Sequence, residues 1–139
     1  MPKTIYVNLP VKDLAVATRF YEAIGCEKNE QFSDHQASSM VWSDTITFHL
    51  LSNDYFATFT PKKIADAQKT SEVLLALSRD SREEVDAIAE AAAATGGKAD
   101  IRAPMDMGWL YNRCFEDPDG HVFEAVSVDM AAMPAEMKT

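Results

Sequence analysis

The chain has 139 residues, of which 47% are hydrophobic and 25% charged, and its formal net charge is −9. This length and composition predict a globular protein with one hydrophobic core, and the negative charge argues against nucleic acid or an anionic membrane as a partner. No apolar run is long enough to span a bilayer. The start of the chain lacks a signal-peptide core. The two cysteines, Cys26 and Cys114, have no CxxC spacing, and they predict free thiols in a reducing cytoplasm.

The first part of the chain has the pattern of a strand, a helix and three more strands. Ile5–Leu9 alternates as a strand does, and Pro10 ends it. Asp13 is placed to cap a helix over about Leu14–Ile24, which Gly25 ends. The three strand candidates that follow are Glu27–Phe32, Ala37–Trp42 and Thr45–Leu51.

Residues 55–71 have a different composition, with three aromatic side chains, then Pro61, then a polar stretch of helical character at Lys62–Ala67. No regular apolar period runs through this segment. It is predicted to be a connector whose loop covers a pocket.

After the connector the same order of elements returns. Val73–Ser78 is a strand, Asp80 or Ser81 caps a helix, and Gly96-Gly97 ends that helix. The apolar face of this helix consists of Val85, Ile88, Ala89 and Ala92. The last strand candidates are Lys98–Arg102, Trp109–Glu116 and His121–Val128. The tail from Asp129 shows no clear element.

The two halves can be aligned at equivalent positions. Tyr6 aligns with Leu74 at a shift of 68 residues, and His49 aligns with Glu124 at a shift of 75. A slowly growing shift is typical of a duplicated unit with loop insertions, so each half is interpreted as one βαβββ module. The predicted fold is α+β, a single domain over residues 1–128 with modules at about 4–54 and 72–128, connector 55–71 and tail 129–139.

The last hairpin carries the most informative acid in the chain. Asp117-Pro118-Asp119-Gly120 has strong turn chemistry, and the strand after it alternates. Glu124 shares one strand face with three valines, at positions 122, 126 and 128. A carboxylate on an apolar face needs a partner, a metal, a proton or water, so Glu124 is the leading candidate for a functional residue.

The duplicated module, the early Leu9-Pro10-Val11-Lys12-Asp13-Leu14 run and the late Phe115–His121 segment together resemble the vicinal oxygen chelate superfamily. This is the group of glyoxalases, bleomycin-resistance proteins and extradiol dioxygenases. The segments Leu77–Ser81 and Phe59–Lys62 are similar to the branch labelled predicted lactoylglutathione lyase. The resemblance implies sheets that curl around a cup, usually within a homodimer.

The resemblance also implies a divalent metal in the cup, held by four positions that here are Tyr6, His49, Leu74 and Glu124. His49 and Glu124 are good ligands for Ni, Zn, Mn or Fe, whereas tyrosine is a poor ligand and leucine cannot be one. Asn8 lies two residues from Tyr6 on the same strand face, and Glu72 stands in the same relation to Leu74. The cofactor expectation is therefore one divalent metal or none.

Two functions of different classes follow from this incomplete set. The first is a metal-dependent lyase or isomerase that acts on a small oxygenated molecule, with Glu124 as the catalytic base or a ligand and His49 as a ligand. The second is a metal-free protein of the bleomycin-resistance type that binds a small molecule. A scaffold without activity is a third reading, and a direct pairing of His49 with Glu124 explains both residues without a metal.

Five residues are candidates for contact with a substrate or ligand. Tyr6 and Asn8 stand beside the expected metal position, and three aromatic residues, Trp42, Trp109 and Tyr111, are candidates for the walls of a pocket. Core packing is the alternative use of these aromatic side chains. No nucleotide-binding glycine motif appears, because Gly96-Gly97 follows a helix instead of opening one.

Overall fold

Two separate sheets, each with one long helix, form the protein in the computed structural model, which describes residues 2–137. The first sheet contains β1 (Ile5–Val11), β2 (Glu27–Lys28), β3 (Ala37–Ser43) and β4 (Ile46–Ser52). The second contains β5 (Leu75–Ser78), β6 (Lys98–Ala99), β7 (Met105–Asp106), β8 (Leu110–Glu116) and β9 (Val122–Val128). The predicted α+β class is confirmed.

The helices begin and end at the residues that the sequence marks. In α1 (Leu14–Ala23), the Asp13 carboxylate accepts a hydrogen bond from the Val16 amide at 3.1 Å. The Ser81 hydroxyl accepts in the same way from the Glu84 amide at the start of the third helix, Arg82–Ala94. These caps satisfy amides that have no partner inside the helix. A single turn, α2 (Asn53–Phe56), precedes the connector, and the helix over Arg82–Ala94 is α3.

The strand order repeats between the sheets. It is β1-β4-β3-β2 in the first sheet and β5-β9-β8-β6 in the second, with β7 paired to β8 beside β6. In each sheet the strand before the helix pairs in parallel with the last strand, as β1 does with β4 and β5 with β9. This shared topology agrees with the duplication inferred from the sequence.

One aromatic core joins the two halves. Tyr21 on α1 and Phe48 on β4 both contact the ring of Phe123 on β9, at centroid distances of 6.0 and 5.5 Å. Phe115 stacks on Phe123 at 5.3 Å. All four rings are fully buried, and edge-on aromatic contacts of this kind add to the free energy gained from burial alone. The two halves therefore stabilise each other.

Two predicted strands are shorter in the structure. The first sheet has Glu27–Lys28 in place of Glu27–Phe32, because Asn29 accepts a hydrogen bond from the Gln31 amide and starts a 3-10 turn at Glu30–Phe32. The second sheet has Lys98–Ala99 in place of Lys98–Arg102, because Asp100 adopts a positive φ of 56° that turns the chain.

The first strand does not end at Pro10 but continues to Val11, because β1 lies at the edge of its sheet, where a residue without an N–H is tolerated. Three other predictions also need correction. Lys62–Ala67 contains no helix, since Thr60 and Asp66 accept amide hydrogen bonds two residues ahead and form turns. The strand predicted from Val73 begins at Leu75, and the strand predicted from Trp109 begins at Leu110.

The remaining expectations concern the tail, the cysteines and the membrane. The tail forms a 3-10 turn at Ala135–Met137, and the last two residues of the predicted tail lie outside the described part. Cys26 and Cys114 are free and buried. Burial raises the pKa of the Cys26 thiol to about 12, so it stays protonated. Among residues 2–137, no helix is long and apolar enough to cross a membrane.

Candidate functional site

Each sheet has one face toward its helix and one face away from it, which we call the open face. On β1, Leu9 and Val11 are buried in the core, so the alternate residues Tyr6 and Asn8 lie on the open face, where both are exposed. On β4, His49 lies between the buried Phe48 and Leu50 and directly opposite Asn8 in the parallel register. Three predicted site residues therefore share the open face of the first sheet.

The His49 imidazole stacks on the Tyr6 ring, with centroids 5.1 Å apart and an interplanar angle of 29°. Burial lowers the pKa of His49 from its ordinary value, which keeps the ring neutral at pH 7. A neutral imidazole offers one lone pair and one N–H. Together the two rings make a flat, half-exposed aromatic surface with polar edges.

Glu124 lies on the open face of the second sheet. Its neighbours along β9, Phe123 and Ala125, are buried against the helix side, so Glu124 points away from α3. The predicted alternation is present, but the face with the valines is the open one. Val122 and Val126 there are half-buried, because the aromatic core takes the opposite face.

The Glu124 carboxylate is held by an arginine that the sequence analysis did not single out. Arg102 Nη2 donates to Glu124 Oε2 and also to Asn112 Oδ1, the latter at 2.9 Å. Asn112 lies on β8 and Glu124 on β9, so the guanidinium bridges two adjacent strands. The side chains of Arg102 and Glu124 are 38% and 20% exposed, which places this ion pair at the surface of the open face.

Arg102 is held in place by the loop that carries it. Its amide donates to Cys114 Sγ at 3.2 Å, and the Asp100 amide donates to the Cys114 carbonyl at 2.7 Å. The Asp100 carboxylate, in turn, accepts from Arg113 at 2.8 and 3.1 Å. Arg113 also binds carboxylates on α3, and these partners, Asp100 first, raise the pKa of its guanidinium. The loop is thus fixed to β8 by both backbone and side chains.

The side chains on the open faces do not fit a divalent metal. Leu74, one of the four positions implied by the resemblance, is 58% exposed and has no donor atom. Within residues 2–137, no group of three His, Cys, Asp or Glu side chains is arranged to hold a metal ion. One of the two Glu124 carboxylate oxygens, Oε2, already accepts a hydrogen bond from Arg102. The positive charge of a guanidinium about 4 Å from a metal ion makes the free energy of metal binding less favourable by roughly 4 kcal/mol per unit of metal charge, at an effective dielectric constant near 20.

The predicted aromatic residues are not on one face. Trp42 and Tyr111 pack against the core on the helix sides of their sheets, each beneath an arginine. The Tyr111 hydroxyl donates to Asp86 on α3 at 2.7 Å. Trp109 is half-buried just before β8, beside Val128 and Met130 in a surface depression. Of the five substrate-binding candidates, Tyr6 and Asn8 are the two on an open face.

Arg102 and Asn112 escaped the sequence analysis for a physical reason. Arg102 reaches Glu124 only because Asp100 turns the chain, and no local pattern marks an aspartate for a positive φ at that point. Asn112 is an ordinary polar residue within an alternating strand. The one available signal was the unpaired carboxylate itself, since an acid among valines requires a cation nearby.

The comparison with family models identifies the relatives of this chain. The model of the glyoxalase/bleomycin resistance protein/dioxygenase superfamily matches residues 3–125. No curated protein matches the sequence.

Solved structures show the same fold. A hypothetical protein from S. aureus, SA1046, has a TM-score of 0.76 and 25% identity over 91% of this chain and 94% of that one. A glyoxalase/bleomycin resistance protein/dioxygenase family enzyme from Burkholderia phytofirmans has a TM-score of 0.73 and 21% identity over 91% and 99%. The fosfomycin resistance protein FosX from Mesorhizobium loti has a TM-score of 0.67 and 16% identity over 94% and 96%.

Proposed function

Because the chain belongs to the glyoxalase/bleomycin resistance protein/dioxygenase superfamily, we propose that it is a metal-independent protein of the bleomycin-resistance type that binds a small molecule. The single observation that carries this proposal is the ion pair between Arg102 and Glu124. The carboxylate that a metal-dependent relative would offer to its metal is neutralised here by a side chain of the same domain. The positive charge beside Glu124 is therefore the Arg102 guanidinium of the protein itself, and a ligand binds to a polar surface that is already formed.

The open faces supply the contacts for a flat small molecule. The stacked rings of Tyr6 and His49 give an apolar surface on the first sheet. On the second sheet, the exposed edge of the Arg102 guanidinium, which the buried Asn112 holds through its Oδ1, gives hydrogen-bond donors. Binding sites of this kind combine an aromatic wall with a few fixed polar groups.

The metal-dependent lyase remains the competing function. It requires Arg102 to leave Glu124 so that the carboxylate can bind Ni, Zn, Mn or Fe with His49, or can act as a base. Two protein ligands hold such a metal weakly, because stable sites use three or four. The assignment to the lactoylglutathione lyase branch belongs to this reading and stays a prediction with it.

A homodimer is the second part of the proposal. Three apolar side chains, Tyr6, Leu74 and Val128, are 59%, 58% and 46% exposed at or beside the open faces. Members of the superfamily usually dimerise, and a second copy that covers these side chains would remove them from water. Sedimentation of the tag-free protein tests this, with a monomer mass as the contradicting result.

The free, buried thiols of Cys26 and Cys114 are consistent with a cytoplasmic location.

The binding function is tested by a thermal-melt screen of flat aromatic compounds, and separately of metal-free bleomycin, in the presence of EDTA. A compound that binds the folded protein raises the melting temperature with its concentration. Any compound that does so is then measured by calorimetry with Arg102→Met and Tyr6→Ala. Arg19→Met is the matched control, since Arg19 is an exposed arginine on α1. Binding that requires added metal would contradict the proposal.

A further inference from the structure

A second cavity lies away from the open-face ion pair, between the two sheets. Its volume is about 340 Å³, at the lower end of the range for pockets that bind small molecules. Leu9 and Pro10 of β1 form one wall, and Leu75 of β5 and Val122 of β9 form the other. Since β1 pairs with β4, and β5 pairs with β9, no hydrogen-bond ladder closes the space between the two edge strands. We call this space the seam cavity.

The end of the seam cavity near the last hairpin is closed by contacts between the halves. His121 Nε2 donates to the Pro10 carbonyl at 2.8 Å, and the Lys12 amide donates to Asp119 Oδ1 at 2.8 Å. These two bonds fix β1 against the β8–β9 turn. The walls of the cavity are therefore rigid where the two sheets meet.

The roof of the cavity is formed by the connector from residue 60 onward, and residues 60–73 contain no helix or strand. It is attached to the last hairpin mainly through Gln68, whose Nε2 donates to the Pro118 carbonyl at 3.0 Å, and through close packing of Ala67 on Gly120. The outer side of the connector borders another depression of about 740 Å³. With open space on both sides, the connector can move outward without breaking a strand ladder.

The lining has the chemistry of a site for an amphipathic anion. Most of the lining is apolar, and its charged residues are two lysines of the connector, Lys62 and Lys63, and one acid, Glu72. In the part of the chain that the structure describes, neither lysine forms an ion pair, whereas Arg79, Arg82 and Arg113 all do. Two adjacent uncommitted cations at an apolar cavity are notable on a molecule with a net charge of −9.

From this arrangement we propose that the seam cavity binds a small amphipathic monoanion. The apolar body of the ligand lies between β1 and β5, and its carboxylate or sulfonate group lies at Lys62 and Lys63. The connector closes over the bound molecule. None of the residues used in the proposed function lines this cavity, so the site does not depend on that function.

Two fluorescent probes with the same aromatic body test the proposal. 1-Anilinonaphthalene-8-sulfonate carries the sulfonate, and N-phenyl-1-naphthylamine lacks it. We expect the double variant Lys62→Glu/Lys63→Glu to weaken binding of the sulfonate probe by about tenfold, because each exposed charge contact contributes modestly and both charges are reversed. The affinity for the uncharged probe should change by less than about twofold in the same variant. The matched control is Lys3→Glu/Arg19→Glu, which changes the net charge equally at exposed cations away from the lining.

A second variant tests the location of the probe. Ala65 is an exposed alanine on the lining, so Ala65→Trp should fill the cavity and remove binding of both probes. Ala93→Trp, at an exposed alanine on α3, should leave both affinities unchanged. Equal sulfonate-probe affinities in Lys62→Glu/Lys63→Glu and in its control double variant, or full binding by Ala65→Trp, would overturn the inference. Loss of sulfonate-probe binding in the single variant Arg102→Met would also overturn the inference, since that result places the probe on the open face.

Discussion

The Tyr21 hydroxyl donates a hydrogen bond of 2.7 Å to Asp117 Oδ2 across the contact between the two halves of the protein. Tyr21 belongs to α1, and Asp117 begins the turn between β8 and β9. The other carboxylate oxygen accepts from the amides of Asp119 and His121, each at 2.9 Å. Asp117 therefore shapes its own turn and binds the first helix at the same time. Burial raises the pKa of both Tyr21 and Asp117.

Removal of this hydroxyl should destabilise the protein. We expect Tyr21→Phe to lower the free energy of unfolding by about 1.5–3 kcal/mol, the usual contribution of a hydrogen bond to a charged group. Urea unfolding followed by circular dichroism measures the change. Tyr55→Phe is the control, because no hydrogen bond of the Tyr55 hydroxyl is present within residues 2–137. Equal losses in the two variants would show that the Tyr21–Asp117 bond has no special role.

Asp117 should also make stability depend on pH. Its pKa in the folded protein is raised above its ordinary value, mainly by burial, so the folded state binds this proton more tightly than the unfolded state. The stabilisation is complete below the unfolded pKa of about 3.9 and is lost as the pH rises through the folded pKa. The free energy of unfolding of the natural protein minus that of Asp117→Asn should fall over this interval. A difference that rises with pH would contradict the assignment.

Two glycines separate the strain of a positive φ from the effect of close packing. Gly120 has a φ of +91°, and a Cβ there would lie 2.8 Å from the backbone of Ala67. Gly108 has a φ of +82° with no neighbour within 4 Å of such a Cβ. Each alanine variant should lose about 1–2 kcal/mol from the strained φ, and Gly120→Ala should lose about 1–3 kcal/mol more from overpacking. Calorimetric melts give both values, and equal losses would mean that the connector does not pack on Gly120.

Local chemistry made much of the fold predictable. Helix caps follow from side chains that satisfy the first amides of a helix, and the structure confirms Asp13 and selects Ser81 from the two candidates Asp80 and Ser81. The strand–helix–three-strand order followed from periodicity and turn residues. It is present in the first half, whereas the second half has a fourth strand after its helix, the short β7 that the sequence did not predict. These features depend on neighbours within a few positions along the chain.

The parts that were not predictable depend on distant contacts. Alternation in β9 distinguishes two faces but cannot say which one a helix and an aromatic core will cover, so the exposure of Glu124 remained open. The pairing of Glu124 with Arg102, 22 residues away, requires the positive φ of Asp100 and its bond to Arg113. No local pattern encodes that sequence of contacts.

The central claim is that Arg102 supplies the cation for Glu124, so that no divalent metal is bound there. The most direct test is a metal titration of tag-free, chelator-stripped protein with Ni, Zn, Mn and Fe(II), the last without oxygen, followed by melting temperature and by direct metal analysis. A metal at the open face would stabilise the folded state in proportion to its occupancy. We expect the natural protein and Glu124→Gln to show the same weak, non-saturating response. A saturable rise in melting temperature with one bound metal per chain, abolished in Glu124→Gln, would contradict the account.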